Sequence, residues 1–434
     1  MTIDRVDVVL EVVKILLVVG LLLNVVPIMV WVERRGSALI QDRLGPNRVG
    51  PFGLIQSMAD ALKFILKEDV IPLQANKWLY TLAPLFGLLP ALTTIAVVPW
   101  GRPFFIPTEV MYGPRVSGAC IVGAAVTAIL AIVVAGGTAK YHRKPNYSRL
   151  NFTIGAIVAT ALFLVALGLI GVMFGIKAAG ALHLPGGGRL FEPIIADVNV
   201  GILLIFALAS LSVYGITTAG WSSANKFSLF GGIRASAQMI SYELSLALSA
   251  VSVLMVAGSL RLTDVVAKQT GYFVLFDSVK IPAWNCFSPA IWLAMIVFIV
   301  SAFAETNRLP FDFAEAEAEL VAGYHTEYSS MKFAMFFMSE YIAMTTMSAL
   351  VVTLFFGGWD VPWYNEPPTL AGFLLSAIAF LAKVGFVLFV FVWVRWTIPR
   401  LKYDILMKIG WKVFLPLAIV NIVLVAWFIA ERWI

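Results

Sequence analysis

Cysteine and histidine are almost missing from this chain: two and three among 434 residues. Cys120 and Cys286 stand far apart, so neither a disulfide framework nor a cysteine-ligated cluster is encoded here. His142, His183 and His325 fall in three different loops and offer no haem pair. Charge is scarce as well, at 13% of residues, and no tandem repeat is visible. Pro185-Gly186-Gly187-Gly188 is followed by no Lys-Ser or Lys-Thr, so it is a flexible turn and not a phosphate loop. The chain shows no means of its own for carrying electrons or holding a nucleotide, and no metal site is expected.

What fills the space is apolar. Hydrophobic residues make up 60% of the sequence, and the mean hydropathy of +0.91 excludes an ordinary soluble domain. Runs of about 20 apolar residues are what a bilayer core of about 30 Å requires of a helix. Ten occur, near 10–32, 78–99, 116–139, 151–176, 197–220, 232–258, 287–304, 331–357, 370–396 and 411–430. A barrel would show short alternating segments instead. The expectation is an all-α, polytopic helical membrane protein, with residues 1–434 forming a single membrane domain. The first run carries Glu11 and Lys14 and leads into Glu33-Arg34-Arg35, not into a small-residue cleavage site, so it reads as a retained span. No transit peptide is apparent.

Lysine and arginine set the orientation. Loops after odd-numbered spans hold twenty of them against ten in the termini and the other loops; Lys383 lies inside a span. Both termini are therefore expected on the outer side. The net charge of +6 is this ordinary membrane bias and calls for no nucleic acid.

Between the first two spans, Gly45 to Pro51 is turn-rich. After it Leu54, Ile55, Met58, Leu62, Ile65 and Leu66 recur at helical spacing, with Asp60, Lys63 and Lys67 on the other face. This predicts an amphipathic helix along the membrane surface. A further short helix is expected near 261–268.

The most telling stretch runs from Glu305 to Glu327. It holds six of the 25 acidic residues and one cation, Arg308, and it is bracketed by membrane-length apolar runs. Glu243, Glu340 and Lys383 lie inside spans, and Glu305 closes one. Each such charge costs about 2.5–3.5 kcal/mol at mid-bilayer on insertion scales. Any one could be a satisfied group between helices; three carboxylates and a lysine in four spans imply proton relay. Glu315, Glu317 and Glu319 are spaced by two, so on a helix they share no face. Brought close, such carboxylates would ionise as a coupled set.

Two segments resemble a known family closely: Gly53 to Glu68, with Gln56, Asp60, Lys63 and Lys67, and Pro310 to Gly323, with Phe311, Asp312, Glu315, Glu317 and Glu319. Glu33-Arg34-Arg35, Ala219-Gly220-Trp221, Ala237 to Glu243 and Tyr403-Asp404 are also family-like. The chain resembles the quinone-site membrane subunit of NADH:quinone oxidoreductase, respiratory complex I (the H-type subunit in bacteria, NADH dehydrogenase subunit 1 in mitochondria), over about 1–105 and 196–434. The resemblance implies a core of eight spans, with 106–195 as an insertion carrying two more. Its loop Lys140 to Arg149 would face inward, towards anionic lipid or a neighbouring subunit.

The resemblance further implies that Glu33, Arg34, Gln56, Asp60, Arg308, Phe311, Asp312, Glu315, Glu317 and Glu319 border a quinone cavity. Glu243, Glu305 and Glu340 would begin a buried relay towards antiporter-like partner subunits, with Lys383 a further member. Quinone is the implied substrate; FMN and iron–sulfur clusters would belong to soluble partner subunits on the inner face. The implied setting is an energy-transducing membrane, a bacterial plasma membrane before any other, with lipids and small membrane subunits as neighbours. Three other readings remain. They are the related membrane subunit of an ion-translocating hydrogenase or formate-linked complex, a stand-alone transporter, for which no pseudo-repeat is seen, and a membrane anchor.

Overall fold

The computed structural model describes residues 5–106, 189–275, 279–312, 321–364 and 368–431. Among them, seven helices are long and apolar enough to cross a membrane: Glu11–Ile40, Lys77–Val97, Gly201–Ser222, Lys226–Ala257, Ser330–Phe355, Leu370–Thr397 and Tyr403–Ala430. A shorter apolar helix, Pro289–Glu305, is the eighth of the expected spans. The chain is a polytopic helical membrane protein. The two remaining expected spans, 116–139 and 151–176, lie outside the described residues, as do Cys120, His142, His183 and the loop 140–149.

Helices are labelled in chain order. They are α1 (Arg5–Ile40), α2 (Gln56–Leu66), α3 (Lys77–Thr94), α4 (Gly201–Ser222), α5 (Lys226–Ala257), α6 (Leu262–Gln269), α7 (Pro289–Glu305), α8 (Ser330–Phe355), α9 (Leu370–Thr397), α10 (Tyr403–Ile409) and α11 (Leu415–Ala430). Two short antiparallel ladders occupy connections. Tyr272–Leu275 pairs with Val279–Pro282, and Phe104–Ile106 pairs with Arg189–Phe191 in the register Phe104 to Phe191.

Contacts divide the chain into two compact units. One comprises Met1–Arg102, Pro193–Pro367 and Ala371–Ile434; the other comprises Pro103–Glu192 and Pro368–Leu370. In the second, the described residues are 103–106, 189–192 and 368–370, and they include the ladder of Phe104–Ile106 with Arg189–Phe191. The functional residues discussed below belong to the first.

Within that first unit α5 is the hub, packing on α4, α7 and α11, while α3 packs on α4 and α8. Asn225 caps α5 by accepting from the Phe227 N–H at 2.9 Å. The buried face of α5 is rich in small residues, Gly231, Gly232, Ala235, Ser241, Ser245, Ser249 and Ala250. Lipid supplies no hydrophobic drive between helices, so close approach over small side chains is what holds such a bundle together. The main apolar core joins residues of α1, α5, α7, α8 and α9, including Leu22, Leu246, Phe298, Phe303, Leu350, Phe355 and Phe391.

Two departures from the sequence pattern have physical causes. The apolar run of α1 ends near residue 32, yet the helix continues to Ile40. Arg34 and Ser37 extend it beyond its apolar length, so Glu33 and Arg34 sit on a helix and not in a loop. Between α10 and α11 the helix widens into a π segment, Gly410–Phe414. Pro416 has no N–H to offer the carbonyl of Lys412, and the wider turn falls there.

The surface helix is present as α2, with Met58, Leu62, Ile65 and Leu66 exposed. α6 likewise lies where the short helix is expected.

Candidate functional site

Glu33 and Arg34 are neighbours on a helix and so point about 100° apart. Arg34 reaches α2, where its guanidinium meets Asp60 Oδ2 at 2.5 Å. Gln56, one turn earlier on α2, donates to Asp60 Oδ1 at 3.1 Å. The resemblance groups these three residues, and the fold brings them together.

Glu33 points the other way, into the bundle, and is buried. Tyr341 on α8 donates its hydroxyl to Glu33 Oε2 at 2.5 Å. Arg308 Nη1 stands 3.3 Å from the same oxygen, and Arg395 near the end of α9 pairs with Oε1. The Arg308 guanidinium also lies over the Tyr341 ring, 4.2 Å from its centre. On its far side Arg308 Nε is 2.7 Å from Glu340 Oε1, an ion pair and not an aligned hydrogen bond. Two carboxylates thus face two guanidiniums in a site where Arg308 is only 4% exposed. Burial opposes the charge of Arg308, but Glu340, Tyr341 and Glu33 outweigh it and push its pKa up.

Glu340 belongs to a second feature too. A partly open cavity of about 70 Å³ is lined by α3, α4, α5, α8 and the end of α7. Glu340 and Glu305 both line it, with Thr94, Ser212, Asn307 and Thr346 among the polar walls. A buried water needs on the order of 10–15 Å³ and two to four polar partners, so this space suits a small chain of them. Glu305 is buried, and its Oε2 takes no hydrogen bond from the protein. Glu243 on α5 lies within electrostatic reach of Glu305 and is hydrogen-bonded to Ser210 of α4. Glu33, Glu340, Glu305 and Glu243 therefore follow one another, with Arg308 between the first two and the cavity between the next.

The segment after α7 is pinned at both ends. Gln238, fully buried on α5, donates its amide to the carbonyls of Ala304 at 2.9 Å and Phe311 at 2.8 Å. Phe311 packs against Tyr242, ring centres 5.5 Å apart, and Asp312 accepts from Arg400 at 3.0 Å. At the other end Asn225 donates to Glu327 Oε1 at 2.6 Å, and Tyr80 and Tyr328 stack with centres 4.1 Å apart. Burial pushes the Tyr328 hydroxyl up to about 12, so it stays protonated. Glu315, Glu317 and Glu319 lie outside the described residues.

Lys383 is not brought to the carboxylates named above. Its ammonium donates to the carbonyls of Phe356 (2.8 Å), Gly358 (3.1 Å) and Asp360 (2.6 Å) beyond the end of α8, and sits 4.0 Å above the Trp284 ring. Gly357 and Gly358 have φ of 71° and 53°, which lets the backbone fold its carbonyls round the ammonium.

Sequence reading missed Tyr341, Arg395 and Arg400. Tyr341 adjoins Glu340, and Arg395 is the one charged residue in the last turn of an apolar helix. Those are weak signals, and only the fold brings residues 33, 308, 341 and 395 to one point. Among the described residues no group of three His, Cys, Asp or Glu could hold a metal ion.

Comparison with known proteins decides the family. The NADH dehydrogenase family model matches residues 13–143 and 138–426. The chain belongs to the NADH dehydrogenase family. Its relatives in that family include an H-type subunit of the NADH-quinone oxidoreductase of Koribacter versatilis, 41% identical over 97% of each chain. The H-type subunit of the Salinibacter ruber enzyme is 40% identical, covering 94% of this chain and 93% of its own. NADH-quinone oxidoreductase subunit 8 of Rhodothermus marinus is 39% identical over 94% of each. Full-length matches of this extent run across 106–195, so these family members share that segment.

Proposed function

We propose that this chain is the quinone-site membrane subunit of a proton-translocating NADH:quinone oxidoreductase, coupling quinone reduction to proton movement in partner subunits. The observation that carries the reading is the succession Glu33–Arg308–Glu340, cavity, Glu305–Glu243, with Glu33, Arg308 and Glu305 buried and Glu340 and Glu243 partly so, which links the α1–α2 end of the molecule to its interior. Quinone would be held beside Arg34, Asp60 and Gln56 on one side. The segment carrying Arg308, Phe311, Asp312, Glu315, Glu317 and Glu319 would border it on the other. FMN and iron–sulfur clusters would reside in soluble partner subunits, which deliver the electrons.

Reducing a quinone draws protons and changes the charge at the head of the cavity. Arg308 is shared by Glu33 and Glu340, so a change of charge near Glu33 alters how strongly it holds Glu340. Glu340 and Glu305 line one cavity, among walls that are mostly apolar, and would exchange protons through it. Glu243 would hand the change on to neighbouring membrane subunits. Coupling of this kind needs an element with two arrangements that both sites bias; the segment 305–331, anchored at its ends, is our candidate. Lys383 would serve by fixing the end of α8, the helix that carries Glu340. Both termini would lie on the outer face of an energy-transducing membrane, a bacterial plasma membrane, with residues 106–195 adding two spans to a core of eight.

The same succession without Arg34–Asp60 beside it would suit a hydrogenase-linked relative equally well, so quinone occupancy is what needs testing. In the purified complex, a photoreactive quinone analogue should label peptides from 33–60 and 305–331, and excess quinone should suppress the label. Labelling confined to other subunits would refute the assignment.

A further inference from the structure

We infer that the seam between α5 and α7 is a binding site for water, a short file of molecules held by Gln238, Ser241 and Ser245 on one helix and Ser301 on the other. The site follows from the packing of this chain and holds whatever the complex reduces.

Register brings the four residues together. Gln238, in the first half of α5, donates to the carbonyl of Ala304 at the end of α7, so the two packed helices run in opposite directions. Three residues along each from that contact, Ser241 on α5 stands level with Ser301 on α7. Ser245 follows one turn further along α5. Positions 238, 241 and 245 repeat at helical spacing and share one face, which continues through Ser249 and Ser252.

These groups are buried and short of partners. Ser241 is 3% exposed, and Gln238, Ser245 and Ser301 are fully buried. The Gln238 amide nitrogen is used on the carbonyls of Ala304 and Phe311. Gln238 Oε1 and the three serine hydroxyls have no hydrogen-bond partner among the described residues. Glu305, next after Ala304, brings Oε2 to the end of the seam in the same condition.

A serine in a helix usually escapes this cost by bonding back to a carbonyl three or four residues earlier. Ser249 does so, donating to Leu246 at 2.8 Å, as do Thr345, Ser348 and Thr353 on α8. Ser252 instead accepts from Asn421 of α11 at 2.8 Å. Ser241, Ser245 and Ser301 take neither course.

A buried polar group without a partner is expensive to keep. Water relieves several at once, because it both donates and accepts, and a buried molecule makes about three hydrogen bonds to groups of this kind. Three hydroxyls can donate to it and Gln238 Oε1 can only accept from it, so the donor and acceptor set is complementary. No side chain covers the seam at Ser241 on the side of the π segment. There Gly410 presents its backbone, and a Cβ on it would stand 2.8 Å from Ser241 Oγ.

The test is a density map of the complete complex in lipid nanodiscs, at a resolution that shows ordered water, together with the inactivation temperatures of Ser241→Ala, Ser301→Ala and Ser301→Val. The wild-type map should show water within hydrogen-bond distance of Ser241 and Ser301. A dry seam, with the hydroxyls turned onto carbonyls of their own helices, would overturn the site. Each alanine variant should inactivate at a lower temperature than wild type, because a hydrated hydroxyl that is removed takes a partner from its water. Ser301→Val, which puts methyl groups where the water would sit, should lower it further and erase the density beside residue 301. A rise in inactivation temperature on removing either hydroxyl is the mark of a dry, unpartnered group and would also overturn the site. If a variant fails to assemble, the wild-type map decides alone.

Discussion

Arg308 holds Glu340 with 2.7 Å between Nε and Oε1, joining a loop cation to a carboxylate inside a membrane helix. The same guanidinium faces Glu33, so one side chain is common to both carboxylates. Removing it leaves the buried Glu33 and the partly buried Glu340 each short of a partner. Arg308→Met should therefore destabilise the subunit by about 3–5 kcal/mol, read as a lower inactivation temperature of the purified complex. Adding Glu340→Gln to Arg308→Met should restore part of the loss, and a strictly additive double variant would show that the pair is not coupled.

Gln238 offers a milder probe of the same loop. Gln238→Leu deprives the carbonyls of Ala304 and Phe311 of their donor, at about 1–3 kcal/mol. Amide hydrogen exchange across 305–312 should accelerate while that of α5 stays slow. Unchanged exchange in the loop would show that other contacts hold it.

Lys383 separates a structural lysine from a relay lysine. Lys383→Met strips the carbonyls of Phe356, Gly358 and Asp360 of one donor. Thermal stability should fall by about 1–3 kcal/mol, while quinone-linked turnover per assembled complex stays near wild type. A stable complex that has lost turnover would put Lys383 back in the proton path.

Cys286 tests the electrostatics of the turn before α7. Burial pushes its thiol up to about 11, and the nearby Lys383 ammonium pulls down less strongly. The raised value means less thiolate at neutral pH. With Cys120→Ser as background, the maleimide labelling rate should keep rising with pH through the range, near about 8.5, where an ordinary thiol levels off. A plateau there would contradict the buried setting.

The spans were legible because lipid demands uninterrupted apolar length; the eight expected outside 106–195 are the seven long helices and α7. Asp60 beside Arg34 followed from the family resemblance, and the carboxylates in spans were legible as costly charges. The convergence on Glu33 was not. Arg308, Tyr341 and Arg395 come from three distant segments, and no spacing rule connects them. Lys383 was read from its depth in an apolar run, which says nothing of the carbonyls that a loop with two left-handed glycines folds back onto it. α1 outran its apolar pattern because its polar last turns find partners in Asp60, Arg308, Arg395 and Tyr341.

The central claim is that Glu340 passes a change at Arg308 to the cavity it shares with Glu305. Glu340→Gln in the complete complex, reconstituted in proteoliposomes, tests it most directly. Quinone-linked NADH oxidation and the accompanying proton uptake should both drop, with NADH oxidation by an artificial acceptor unchanged. Wild-type quinone reduction with wild-type proton uptake in that variant would contradict the account.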